Sequence, residues 1–160
     1  MDPRIAPLAG QMDNATNLFR TALVGVNREH FLQRPGPHSN PMVWVAGHLT
    51  QFRCRLAAML GLPRELPWST LFSTGSVIGD LSTYPQREEI ERLWTDVSGE
   101  LAARLATLNA AELNAPPPPR IASTDGTMAG AIALFAFHEA YHVGQLGYLR
   151  RFLGYQSIMG

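Results

Sequence analysis

Apolar residues return every three or four positions along four stretches of the chain, the period that turns one face of an α-helix toward a core. The first predicted helix runs from about Ile5 to Gln33, with Leu8, Met12, Ala15, Phe19, Ala22, Leu23 and Val26 on that rhythm, and Arg34-Pro35-Gly36-Pro37 ends it. Asn40 offers a cap and Pro41 suits a first helical position. A second helix is therefore expected through Trp44, Val45, His48, Leu49, Phe52, Leu56 and Met59 to a stop at Gly61-Leu62-Pro63. The third is expected from about Pro85 to Leu108, with Glu88, Glu89 and Glu91 early, where the helix dipole favours negative charge. The fourth starts after Asp125-Gly126-Thr127 and reaches Phe152-Leu153, with Arg150 and Arg151 in its last turn and Gly154 as its C-cap.

The segment from Pro63 to about Pro85 is long for a connection inside a compact domain, and it predicts a crossover or a loop that lines a site. Trp68 and Phe72 would give such a loop an apolar lining. Pro116 to Pro119 form a stiff extended spacer. No strand alternation, hairpin turn or internal repeat is visible. The expected fold is all-α, one domain over residues 1–160, a four-helix bundle of antiparallel type with a long crossover connection.

Composition narrows the function. Thirteen basic residues balance thirteen acidic ones, and charged residues make up only 16% of the chain, so neither nucleic acid nor an anionic membrane is an expected partner. Cys54 is the sole cysteine, which precludes an intramolecular disulfide and reads as a small buried apolar residue. There is no apolar run of the roughly 20 residues that a membrane helix needs, and the N-terminus lacks the pattern of a signal peptide. A soluble, cytoplasmic protein is the expectation.

The chemistry lies in Phe137-His138-Glu139-Ala140-Tyr141-His142-Val143-Gly144-Gln145. His138 and His142 are one helical turn apart, in the H-E-x-x-H spelling by which a helix offers two imidazoles to one metal ion. A zinc protease of that type takes a third ligand downstream, and residues 143–160 hold no His, Asp, Glu or Cys. A third ligand is thus expected upstream, on another helix. His48 is the candidate, because Val45, Leu49 and Phe52 place it on an apolar face. His30, at a helix end, and His38, in a Pro/Gly-rich loop, are expected to face solvent. Core histidines satisfied by hydrogen bonds are the alternative, and the metal spacing on an apolar stripe favours ligands.

Three neutral imidazoles suit zinc, nickel or iron and leave positions open for water or substrate. Glu139 stands about 100° around the helix from His138, and it reads evenly as a general base or as a partly exposed or supporting carboxylate. Gln145 can orient a ligand. Gly144 and Gly147 are expected to permit close helix packing, and Tyr141 and Tyr148 to be interface aromatics.

The segments Trp44-Val45-Ala46-Gly47-His48-Leu49 and His138-Glu139-Ala140-Tyr141-His142-Val143-Gly144-Gln145 resemble the DinB/YfiT-like superfamily of metal-dependent enzymes, unrelated in fold to the DNA polymerase that shares the first name. That family has a His-Leu near the start of helix two and H-x-x-x-H-x-G-Q on the last helix, and the match in spacing and helix order extends over essentially the entire chain. The resemblance implies a four-helix bundle with one divalent metal held by His48, His138 and His142. It also implies a homodimer, since dimers are common in the superfamily. Characterised branches include bacillithiol S-transferases and mycothiol-dependent isomerases, which makes a low-molecular-weight thiol a candidate cofactor.

Three functions follow as expectations. The first is a metal-dependent enzyme on small molecules, of thiol S-transferase type or a hydrolase, with the metal activating a thiol or water. The second is a non-catalytic metal-binding bundle with a structural or sensing role. The third, a zinc protease with Glu139 as base, is disfavoured by the missing downstream ligand.

Overall fold

In the computed structural model, which describes residues 1–66, 68–73, 75 and 77–159, six α-helices account for almost all regular structure. They are α1 (Ala6–Leu23), α2 (Arg28–Leu32), α3 (Met42–Met59), α4 (Arg87–Thr107), α5 (Ala110–Asn114) and α6 (Met128–Phe152). Single 3-10 turns at Ser69–Phe72 and Leu81–Thr83 punctuate the connection between α3 and α4. Among the described residues there is no strand, and no helix is long and apolar enough to cross a membrane.

The first predicted helix is in fact two. Gly25 takes φ 73°, the left-handed region that glycine enters without penalty, and the helix stops before it. Asn27 then restarts the chain by accepting a bond from the His30 backbone N–H at 2.8 Å. At the second helix Pro41 itself occupies the cap position in extended conformation, so the helix begins one residue later than the Asn40 cap predicts. The third starts at Arg87, behind a capping box formed by Gln86 and Glu89. The fourth begins under a Thr127 cap, whose hydroxyl accepts from the Gly130 N–H at 3.1 Å, and Gly154 terminates it at φ 85°. The short α5 was not expected, although Asn109 and Glu112 spell its capping box.

The four long helices close a bundle in which α1 packs on α4 and α6, and α3 packs on the same two. The chain therefore crosses the bundle diagonally from α1 to α3 and again from α4 to α6, while the long connection joins the neighbours α3 and α4. Two large apolar clusters fill most of the interior, beside a small third one of Cys54, Ala57 and Val97. One gathers Phe19, Phe31, Val43, Leu49, Trp94 and Leu146, and the other Ile5, Met12, Leu56, Leu101, Ile132 and Phe135. Near the junction of these clusters every long helix carries polar residues: Thr16 on α1, His48 and Arg53 on α3, Ser98 on α4, and His138, Glu139 and His142 on α6. The functional candidates lie in that layer.

Candidate metal centre

His48 and His138 approach across the α3–α6 interface, with their Nε2 atoms 3.2 Å apart. His142 completes the group: one ligand nitrogen from each of the three residues lies within 4.8 Å of the others. Local packing sets each ring. His48 is 3% exposed, stacked at 4.6 Å on Trp44 from the preceding turn, and its Nδ1–H donates to the Phe72 carbonyl at 2.7 Å. A carbonyl only accepts, so that bond fixes the tautomer and leaves the Nε2 lone pair free. The Nδ1–H of His142 donates in the same way to Gln145 Oε1 at 2.7 Å, one turn along α6. The plane of His138 is held by the Phe52 ring, stacked at 3.8 Å, and its buried Nδ1 has no hydrogen-bond partner.

This donor set fits a divalent ion. Two nitrogens bound at the usual zinc distance in tetrahedral geometry stand about 3.3 Å apart, close to the His48–His138 separation. All three rings are also kept in the neutral form that ligates. Burial is the first cause of the lowered pKa at each. For His138 it acts together with His142, His48 and Arg55 and brings the value down to about 3. The bonds that His48 and His142 donate to Phe72 and Gln145 oppose the shift at these two rings. The structure brings His48, the upstream imidazole singled out from the sequence, together with the pair on α6.

Glu139 does not join them. Its carboxylate, 1% exposed, takes the Arg53 guanidinium in a bidentate pair, with Nε to Oε1 at 2.8 Å and Nη2 to Oε2. Its carboxylate is committed to Arg53 and is not partly exposed, so of the readings weighed the geometry favours the supporting carboxylate. Arg53, which the sequence reading passed over, reaches all four long helices. It bonds Thr16 Oγ1 and the Met12 carbonyl on α1, Ser98 Oγ at 2.7 Å on α4 and Glu139 on α6, and it lies 3.7 Å from the centre of the Trp94 ring. A charged residue amid the apolar positions of the second predicted helix was the signal that could have revealed it.

Other expectations divide. The Phe72 ring is fully buried over Gly47, so it walls the back of the centre instead of lining an open pocket, and half-buried Trp68 meets it edge to face at 5.4 Å. Gly147 receives Ile158 at close range, but space around Gly144 is open and no helix packs there. Tyr141 and Tyr148, 58% and 67% exposed, are not buried in a helix interface among the described residues. His38 is exposed, whereas His30 is half-buried against the Tyr155 hydroxyl at 2.8 Å. Cys54 is buried as expected, and burial pushes its thiol up to about 11.

Beside His138 opens a cavity of about 360 Å³. Phe52 and Arg55 of α3, Leu134, Phe135 and Phe137 of α6, and Arg120 and Ile121 of the connection before α6 form its walls. The long connection after α3, expected to line such a pocket, contributes none of the described residues that border it.

No curated protein matches the chain in sequence. The family model of the DinB superfamily matches residues 11–146, a span that contains all three histidines and Gln145, and the chain belongs to that superfamily.

Proposed function

We propose that this protein is a metal-dependent enzyme on small molecules, in which His48, His138 and His142 hold one divalent ion through Nε2. A thiol S-transferase is the most concrete form of the proposal, and a hydrolase is its close variant. The ion, when bound, would lower the pKa of a thiol or of water and so supply the nucleophile. The observation that carries the reading is the convergence of three neutral imidazoles, one of which, His138, borders an open, largely apolar cavity.

The chain's own residues divide the remaining work. Phe72 and Gln145 orient His48 and His142 through their Nδ1 atoms. Phe52 keeps the His138 plane and forms the cavity floor. The apolar walls offer an electrophile seated there a surface on which to pack. In the transferase the sulfur–carbon bond would form as the bond to the leaving group breaks, and the thiol proton would pass to solvent. A structural or sensing role would need no cavity at the histidines, and the cavity therefore favours catalysis.

Metal content per chain, measured on untagged protein purified without added metal, tests the assignment. About one ion is expected in the wild type and none in His48→Ala, with helical circular dichroism retained and thiol–electrophile turnover lost. A variant that keeps its ion would refute the three-histidine centre. One that melts would make the site structural.

The homodimer remains a proposal of the same kind. Phe137, Tyr141, Tyr148 and Phe152 lie exposed within one narrow stripe of α6, and a second copy related by a two-fold axis would cover it with the same stripe. Sedimentation of Tyr141→Glu/Tyr148→Glu as a monomer beside a dimeric wild type is the expected result. A monomeric wild type would end the idea.

A further inference from the structure

The cavity beside His138 is bordered by two guanidinium groups and, among the described residues, by no carboxylate. Five guanidinium groups elsewhere in the chain (Arg4, Arg53, Arg64, Arg87 and Arg104) are paired with carboxylates. Arg55 and Arg120 border the cavity, and neither forms an ion pair or a hydrogen bond among the described residues. No Asp or Glu borders it. Two unpaired cations therefore face one apolar space of about 360 Å³.

Their placement follows from the backbone. Arg55 is seven residues beyond His48, two turns along the same face of α3. Phe52 lies between them in sequence, its ring centre 5.0 Å from the Arg55 guanidinium carbon and stacked on His138 at 3.8 Å. Arg55 is close enough to disfavour protonation of both His48 and His138. Arg120 follows Pro116 to Pro119 and sits at φ 69°, a left-handed conformation uncommon for a residue with a side chain. The Ile121 N–H closes that turn on the Pro118 carbonyl at 3.1 Å. The spacer thus carries a guanidinium to the cavity edge opposite α3.

We propose that Arg55 and Arg120 bind the carboxylate of an amphipathic small molecule whose apolar body occupies the cavity between Phe52, Phe135 and Phe137. Guanidinium groups match a carboxylate's two oxygens, and an apolar surround with few convergent polar groups is what a small-ligand site requires. The proposal rests on the enzyme reading above for its placement of the ligand beside the metal centre. It names the substrate class as carboxylates with an apolar body, and it makes both arginines determinants of specificity.

Calorimetric titration of the full chain with phenylacetate and with its neutral analogue phenylacetamide tests this, with metal removed by chelation and again after zinc loading. Metal-free wild type is expected to bind phenylacetate roughly ten-fold more tightly than the amide, as a charge-assisted bond implies. Arg55→Gln and Arg120→Asn should each weaken phenylacetate by about ten-fold and leave the amide unchanged. Both residues are exposed, so the bundle should remain folded, and Asn tolerates the left-handed backbone at position 120. Metal content should not change in either variant.

Equal affinity for acid and amide, no binding of either, or a double variant that binds phenylacetate normally would overturn the proposal. Carboxylate binding that appears only after zinc loading and ignores both arginines would also overturn it, while leaving the metal centre intact. Arginine-dependent binding by a protein that takes up no metal would uphold the carboxylate site and refute the enzyme reading.

Discussion

Glu139 lies between two candidate metal ligands in sequence, yet its carboxylate grips Arg53, and both side chains are 1% exposed. One residue of offset on α6 turns it about 100° from His138. Five residues of offset on α3 turn Arg53 about 140° from His48. The two helices therefore meet twice in the same polar layer, once through imidazoles and once through an ion pair. A protease with the same H-E-x-x-H spelling would use that glutamate on the substrate, whereas here it ties α6 to α3.

Glu139→Gln is accordingly a stability variant. Removing one charge of a buried pair strands the other and typically costs about 3–5 kcal/mol, a fall in Tm on the order of 10 °C for a chain of this size. Metal content should be unchanged. Replacing both partners, as in Arg53→Met/Glu139→Leu, should recover much of the loss, because no buried charge is then left unpaired. A Glu139→Gln protein of wild-type Tm that has lost activity would restore the general-base role.

Gly47→Ala should disturb the centre from behind. A Cβ at position 47 would run into the Phe72 ring, which is fully buried. Overpacking of this kind costs about 1–3 kcal/mol, and moving Phe72 withdraws the carbonyl that orients His48. Thermal denaturation together with zinc titration checks both effects. Adding Phe72→Leu should return part of the stability, and an unperturbed single variant would contradict the packing.

Gln145→Leu separates ligand orientation from folding. The residue is half-buried and accepts the Nδ1–H of His142. Without that acceptor the ring tautomer is no longer fixed, and zinc affinity should fall roughly 10–100-fold while Tm of the metal-free protein changes little. Competitive titration against a chromophoric chelator reads the affinity directly. Unchanged affinity would mean that His142 is held by packing alone.

Acid should destabilise the metal-free protein through the same three residues. Their pKa values lie below the ordinary 6.5, with His138 at about 3, so the unfolded chain takes up protons that the folded chain refuses. Stability is unaffected above about pH 7 and declines as pH falls from 6.5 toward 3. His138→Gln removes one such proton, and its Tm should fall less steeply across that window than the wild type's. Parallel curves for the two proteins would show that His138 does not titrate as its burial implies.

The helices were legible because their information is local. Periodic apolar positions, the Thr127 cap, the Glu-rich start of α4 and Gly154 act over one or two turns, so their effect can be read without knowing any neighbour. Even the two misjudged boundaries carried local marks, Gly25 with Asn27 before α2 and Asn109 with Glu112 before α5. The pairing of His138 with His142 was legible for the same reason, since four residues make one turn. His48 was found from its apolar neighbours along α3.

What each polar side chain meets across the bundle was beyond local reading. An apolar stripe states that a face is buried, not which of two flanking helices covers it. Arg53 was therefore overlooked, Glu139 was left between two roles, and Trp68 and Phe72 were placed on the pocket that Arg120 and Ile121 actually border. Sequence alone determined the four long helices and the bundle, and it singled out the three histidines as candidates, because periodicity and turn chemistry are properties of neighbouring residues. Only the tertiary structure decided that α3 and α6 meet with imidazoles on one side and an ion pair on the other, because that depends on the relative rotation of helices some ninety residues apart in the chain, as His48 and His138 are.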